Sequence, residues 1–160
     1  MAHVPRLTLQ LRALLDGQRV AALGTIGDDG APLVTMVPYA PQRELGVLVI
    51  HVSDLAAHSH NLRLRPRVSM LVMQAPVPGE PVHALPRVTF DGHARVLPPD
   101  SEPWRASRQA YLARFPDAEL MTRLGDFRFV AIEPAGARQV AGFGAARTID
   151  AAEVRLALQG

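Results

Sequence analysis

An antiparallel β-barrel flanked by peripheral helices is the architecture this sequence predicts, mainly β, in a single domain covering residues 1–160. Six or seven segments have strand character, and connections of turn length join most of them. The run Gly27-Asp28-Asp29-Gly30 separates two of these segments and is a strong hairpin signal. No βαβ pattern with a glycine fingerprint argues for a parallel sheet; Gly142-Phe143-Gly144 is too short for one and reads as a tight turn.

Leu7 to Leu15 carries apolar residues at helical spacing, and Gly17 fits its end. Arg19 to Ile26 reads as a strand, and Leu33 to Tyr39 as its hairpin partner, with Pro38 marking a strand end or an edge. Leu45 to Val52 is a third strand, apolar on both faces. A helix follows, for which Ser53 or Asp54 is the expected cap because a short side-chain oxygen satisfies free N–H groups. His58, Asn61 and Arg65 recur at helical intervals and share one face, and Pro66 stops the helix. Its start is a plausible anion seat, since the N–H groups and the dipole favour negative charge.

Arg67 to Gln74 is the next strand, followed by a Pro- and Gly-rich loop from Ala75 to Pro86. Arg87 to Leu97 is a strand with a bulge or kink expected at Gly92. Ser101 caps a helix to Phe115 whose apolar positions include Trp104, Tyr111, Leu112 and Phe115. A short helix is expected over Ala118 to Leu124, and a strand over Phe127 to Glu133. Pro134-Ala135-Gly136 reads as a turn before a last strand, Ala137 to Gly144, and Asp150 to Leu158 as a terminal helix.

Composition narrows the chemistry. The chain has 160 residues, 48% of them hydrophobic, enough for one core. No apolar run approaches the roughly 20 residues that span a bilayer, and no signal peptide is evident, so a cytoplasmic protein without a membrane partner is expected. Cysteine is absent, which removes disulfides, thiolate nucleophiles and zinc–cysteine sites. All 17 basic residues are Arg, so no lysine can form a Schiff base. Net charge is only +2 and Arg is dispersed, which argues against a nucleic-acid surface. His51, His58 and His60 have no carboxylate at metal-site spacing, and no metal site is expected. Serines lack a nucleophile elbow. No spacing in the chain forces an enzyme mechanism.

The segments GTIGDDGAPLVTMVPYA from Gly24, HVSDLAAHSHNLRLRPRVSMLV from His51, RVTFDGHARVL from Arg87, YLARFPDAE from Tyr111 and GDFRFVAIEPAGARQVAGFG from Gly125 together resemble the FMN-binding split-barrel superfamily that includes pyridoxamine 5′-phosphate oxidase. The likeness runs from Leu11 to Ile149 and is greatest to the haem-utilisation branch. It implies a split β-barrel homodimer with FMN in each of two clefts between subunits. The cofactor positions it implies are Thr35, Met36, Val37, Val52, Ser53, His58 and Asn61, with Arg87 reaching the flavin from the partner chain. The flavin would carry the redox chemistry, and the protein would position it.

The sequence departs from the oxidases in ways that bear on activity. Thr35 stands where they place a phosphate-binding Arg, Ala57-His58 where they place Arg-Lys, and Arg87 where they place Gln. Their C-terminal Arg-Leu-His motif is replaced by Ala145-Ala146-Arg147. The resemblance therefore implies a flavin-dependent oxidoreductase that does not act on vitamin B6, with its small-molecule substrate unknown and its catalytic residues unassigned. Two alternatives stand beside it. One is haem binding on the same fold, with His51, His58, His60, His83 or His93 as ligand and without the further C-terminal domain common in that branch. The other is a cofactor-free regulatory binding module.

Overall fold

The computed structural model describes residues 3–160. Helix α1 (Arg6–Gly17) leads into strands β1 (Val20–Ile26), β2 (Pro32–Gln42) and β3 (Val47–Ser53). Helix α2 (Ala57–Leu64) joins β3 to β4 (Arg67–Met73). Then come β5 (Arg87–Val96), α3 (Glu102–Arg114), β6 (Phe127–Val140), β7 (Ala146–Asp150) and α4 (Ala151–Gln159). The strands run in the order β3-β2-β1-β4-β5-β6-β7, all antiparallel, and a further β3–β6 pairing closes six of them into a barrel. The predicted class is the observed one.

Two strands close the barrel by changing partners. Residues Pro32 to Pro38 of β2 pair with β1, and Tyr39 to Gln42 pair with β3. Pro38 thus marks the changeover rather than a strand end. In β6, Phe127 to Ile132 pair with β3, and Gly136 to Val140 pair with β7. The predicted turn at Pro134-Ala135-Gly136 lies inside this strand. Gly92 of β5 faces Pro134 and Asp91 faces Gly136, which leaves Ala135 as the extra residue of a bulge. Proline is tolerated at such a point because no ladder donor is needed there. A Cβ on Gly92 would sit 2.7 Å from Ile132 Cγ2, so only glycine lets β6 approach so closely.

Alternation along the strands builds two cores. Leu23, Tyr39, Ile50, Met70, Phe90 and Ile132 fill the barrel together with α1 (Leu11, Leu15) and α4 (Val154, Leu158). Val49, Leu97, Phe129 and Ala131 point outward and are covered by Tyr111 and Phe115. Each large side chain so buried contributes about 1.5–3 kcal/mol. Arg114 links the two layers. Its guanidinium lies 4.9 Å from the Tyr39 ring centroid and donates to the carbonyls of Leu15, Asp16 and Gln18 at the end of α1. The Tyr39 hydroxyl also donates to Leu15, at 2.8 Å.

Other boundaries differ locally from the sequence expectation. Ser101 does cap α3, accepting from Trp104 N at 3.4 Å. The short helix expected after it is two 3₁₀ turns, Pro116–Ala118 and Met121–Arg123. The last predicted strand ends at Val140, and a turn over residues 141–145 leads to β7. Among the described residues no helix is long and apolar enough to cross a membrane.

Candidate functional site

Helix α2 packs on β1 and β5 and sends Leu62 into the barrel core. Neither Ser53 nor Asp54 caps it; the N-cap is Ala56, without a side-chain bond. Ser53 still belongs to β3, opposite Phe127, and its hydroxyl accepts from Leu55 N at 3.2 Å. The Ser53 carbonyl instead anchors the helix, accepting from Ser59 Oγ at 2.5 Å. Asp54 is taken by Arg63 and by Arg128, the latter at 3.0 Å.

The polar face of α2 turns onto the β1–β2 hairpin. His58 Nδ1 lies 2.9 Å from Thr35 Oγ1. Asn61 Nδ2 donates to the buried Thr25 Oγ1 at 3.1 Å. Arg65 Nη1 donates to Asp28 Oδ1 at 3.0 Å, and His60 Nε2 lies 3.0 Å from Asp28 Oδ2. The bond to His60 and then that to Arg65 hold the Asp28 carboxyl below its ordinary range. Burial pushes the His58 pKa down, so its imidazole is neutral at pH 7. Thr35, His58 and Asn61 therefore sit together as expected. Thr25 and Asp28 join them; each reads as an ordinary hairpin residue, with nothing nearby in sequence to mark its role.

The other expected positions are dispersed. Val37 and Val52 are buried in the barrel core. Met36 points away from it and is 65% exposed. Arg87 lies four residues along β5 from Asp91, which is level with Ser69 of β4. Its guanidinium donates to the carbonyls of His83 and Leu85. Within one protomer Arg87 is not part of the Thr35–His58 cluster.

Outward-facing residues of β1, β2 and β4 form a largely apolar surface whose one charged residue is Arg67, at the start of β4. The register sets Met36 beside Ala22 and Leu71, and Val34 beside Gly24 and Ser69. Val34 is 69% exposed and Val20 49%, with Ile26 and Met73 also exposed. At its β5 edge this surface meets Arg87, Thr89, Asp91 and His93; His93 is the cross-strand neighbour of Arg67. Among the described residues no group of three or more His, Asp or Glu side chains could hold a metal ion.

Residues 7–141 match the family model described as pyridoxamine 5′-phosphate oxidase. The chain belongs to that family. Its relatives include the haem oxygenase HutZ of Vibrio cholerae, 28% identical over 142 residues that span 88% of this chain and 80% of HutZ. The non-canonical chloroplastic haem oxygenase HOZ of Arabidopsis thaliana is 33% identical over 135 residues, 83% of this chain and 40% of HOZ. A haem-binding protein from Mycobacterium smegmatis superposes with a TM-score of 0.84 at 27% identity, covering 97% of this chain. This chain spans 62% of that mycobacterial protein.

The family includes FMN-binding members by the resemblance stated above, so the fit of a flavin phosphate can be judged on the residues present. A phosphate dianion is held by cations and free N–H donors. Here Thr35 and His58 satisfy each other, Asn61 is committed to Thr25, and Ser53 serves its own turn. The imidazole is neutral, and the guanidinium on the same helix face, Arg65, is engaged by Asp28 at 3.0 Å. The seat does not fit a phosphate within one protomer.

Proposed function

We propose that this chain is a haem-binding protein of the haem-utilisation kind rather than a flavin oxidoreductase. One observation carries the reading. The seat expected to hold the FMN phosphate is a neutral pair, Thr35 and His58, closed on itself at 2.9 Å. The names of the relatives, two haem oxygenases and a haem-binding protein, support the same direction.

The histidines differ in their freedom to ligate iron. His51 is buried among aromatic rings, His58 is bound to Thr35, and His60 to Asp28. Among the described residues His83 and His93 make no side-chain hydrogen bond. His93 has Arg67 across the ladder, and Arg95 follows two residues on, on the same face. An imidazole beside guanidinium groups suits an iron ligand next to propionate carboxylates. Haem supplies dioxygen chemistry when bound; Arg67 and His93 would orient it, with Arg95 held by Glu133 at 3.2 Å beside them.

The largely apolar face of β1, β2 and β4 supports a homodimer in which it is covered by a second copy, with Arg67 and His93 at the rim. Exposed contiguous apolar surface of this kind marks interaction sites. Met36→Asp is expected to convert the dimer to a folded monomer in light scattering; an unchanged mass would refute this interface.

The deciding experiment is titration of the purified protein with haemin and, separately, with FMN, followed by desalting. A retained Soret band that His93→Ala loses and His83→Ala keeps is the expected result. Retained flavin absorption without a Soret band would overturn the haem reading.

A further inference from the structure

A second site lies away from β1 and β2. An open cleft of about 440 Å³ runs between α3 and the segment leading into β6, lined among others by Trp104, Arg108, Thr122, Arg123, Phe127 and Arg128. We infer that this cleft binds a small planar aromatic carboxylate, its ring against Trp104 and Phe127 and its carboxylate on Arg108 and Arg128.

The aromatic walls are fixed before any ligand arrives. Phe127 stacks on His51 with ring centroids 5.1 Å apart. Trp104 meets Phe129 edge-on at 5.7 Å and 79°. Neither ring needs to be ordered on binding, which lowers its cost. Trp104 and Arg108 are also one helical turn apart on α3, so they share a face.

The cationic side is equally set. Arg108 Nε donates to Thr122 Oγ1 at 3.1 Å, and that hydroxyl donates to the Glu119 carbonyl at 2.7 Å. A neutral partner thus holds Arg108, and among the described residues no carboxylate pairs with it. Its terminal nitrogens remain for a bidentate carboxylate. Arg128 shares the single carboxylate of Asp54 with Arg63, so that trio keeps a net positive charge. Arg123 is neutralised by Glu119 at 2.6 Å. Asp100 is the one acid on the lining, and two uncompensated cations outweigh it.

Trp104 is the only tryptophan of the chain, so its emission reports on the cleft alone. The protein is titrated with benzoate, and in parallel with benzyl alcohol and acetate. The expected result is a saturable change of Trp104 emission with benzoate, and binding at least about tenfold weaker for each of the other two. Arg108→Gln is expected to weaken benzoate about tenfold and leave the response to benzyl alcohol unchanged. Thr122→Val, which frees Arg108 to move and also removes the bond to the Glu119 carbonyl, is expected to weaken benzoate about threefold and carries the test if Arg108→Gln fails to fold. A non-saturating response, acetate binding as tightly as benzoate, or wild-type affinity in the variant that folds would each overturn the proposal.

Discussion

Replacing His51 by phenylalanine should flatten the acid sensitivity of the fold. His51 is 8% exposed, lies within a ring's breadth of Tyr111, Phe127 and Phe129, and its Nδ1 has no partner. Burial drives its pKa from the ordinary 6.5 down to about 4. Between these values the unfolded chain binds the proton and the folded one refuses it. Stability therefore rises with pH across the window and is lost on acidification. For a single site with those two values, lowering the pH from about 7 to about 5 costs about 1.8 kcal/mol. His58 is displaced in the same direction and adds a smaller loss that the variant retains. Carboxylates held low, such as Asp28 and Glu153, stay ionised over this range. The assay is urea unfolding of both proteins at the two pH values, read as the difference of differences. Any change in packing caused by the new ring appears equally at both pH values and cancels. Equal acid losses in wild type and His51→Phe, within about 0.5 kcal/mol, would refute burial as the cause.

Three further substitutions probe the frame. Gly92→Ala should cost about 2 kcal/mol in urea unfolding, because its Cβ would press on the rigid branch of buried Ile132 and on the Glu133 carbonyl at 3.2 Å; a neutral effect would mean that the bulge yields. Arg114→Met should lower the thermal midpoint by about 4–8 °C, since α1 loses its charged donor and Tyr39 its cation. A shift under about 1 °C would show that water replaces these bonds. Asn61→Ala should cost about 1–2 kcal/mol by stranding the buried Thr25 hydroxyl, and Asn61→Ala with Thr25→Val should recover part of that loss.

The strands and most helices were legible because their signals are local: alternation in β1 and β5, the Asp-Gly turn before β2, Ser101 ahead of α3. Where long-range pairing decides, the sequence misleads. Pro134 and Gly136 have turn chemistry, yet the facing kink at Gly92 absorbs them into one strand. Ser53 has cap chemistry, yet its pairing with Phe127 keeps it in β3. β7 is short and weakly patterned, and exists because β6 offers it a ladder once β3 has left. At the site, the spacing of His58, Asn61 and Arg65 gave their common face. It could not show that Thr35, Thr25 and Asp28 already occupy them, since those partners lie 23 to 37 positions away.

The seam between β3 and β6 has a kinetic consequence. It joins Leu48 to Ile132 and Ser53 to Phe127, residues far apart in the chain. The chain entropy of closing that loop is lost before the contacts form, which puts a topology of this kind among slow folders. Both faces of β6 depend on the same event, because Ile132 enters the barrel and Phe129 the layer under α3. Slipping by one residue would exchange the two faces at once. Barrel and outer layer are therefore expected to appear in a single late step, with the N-terminal hairpin able to form well before it.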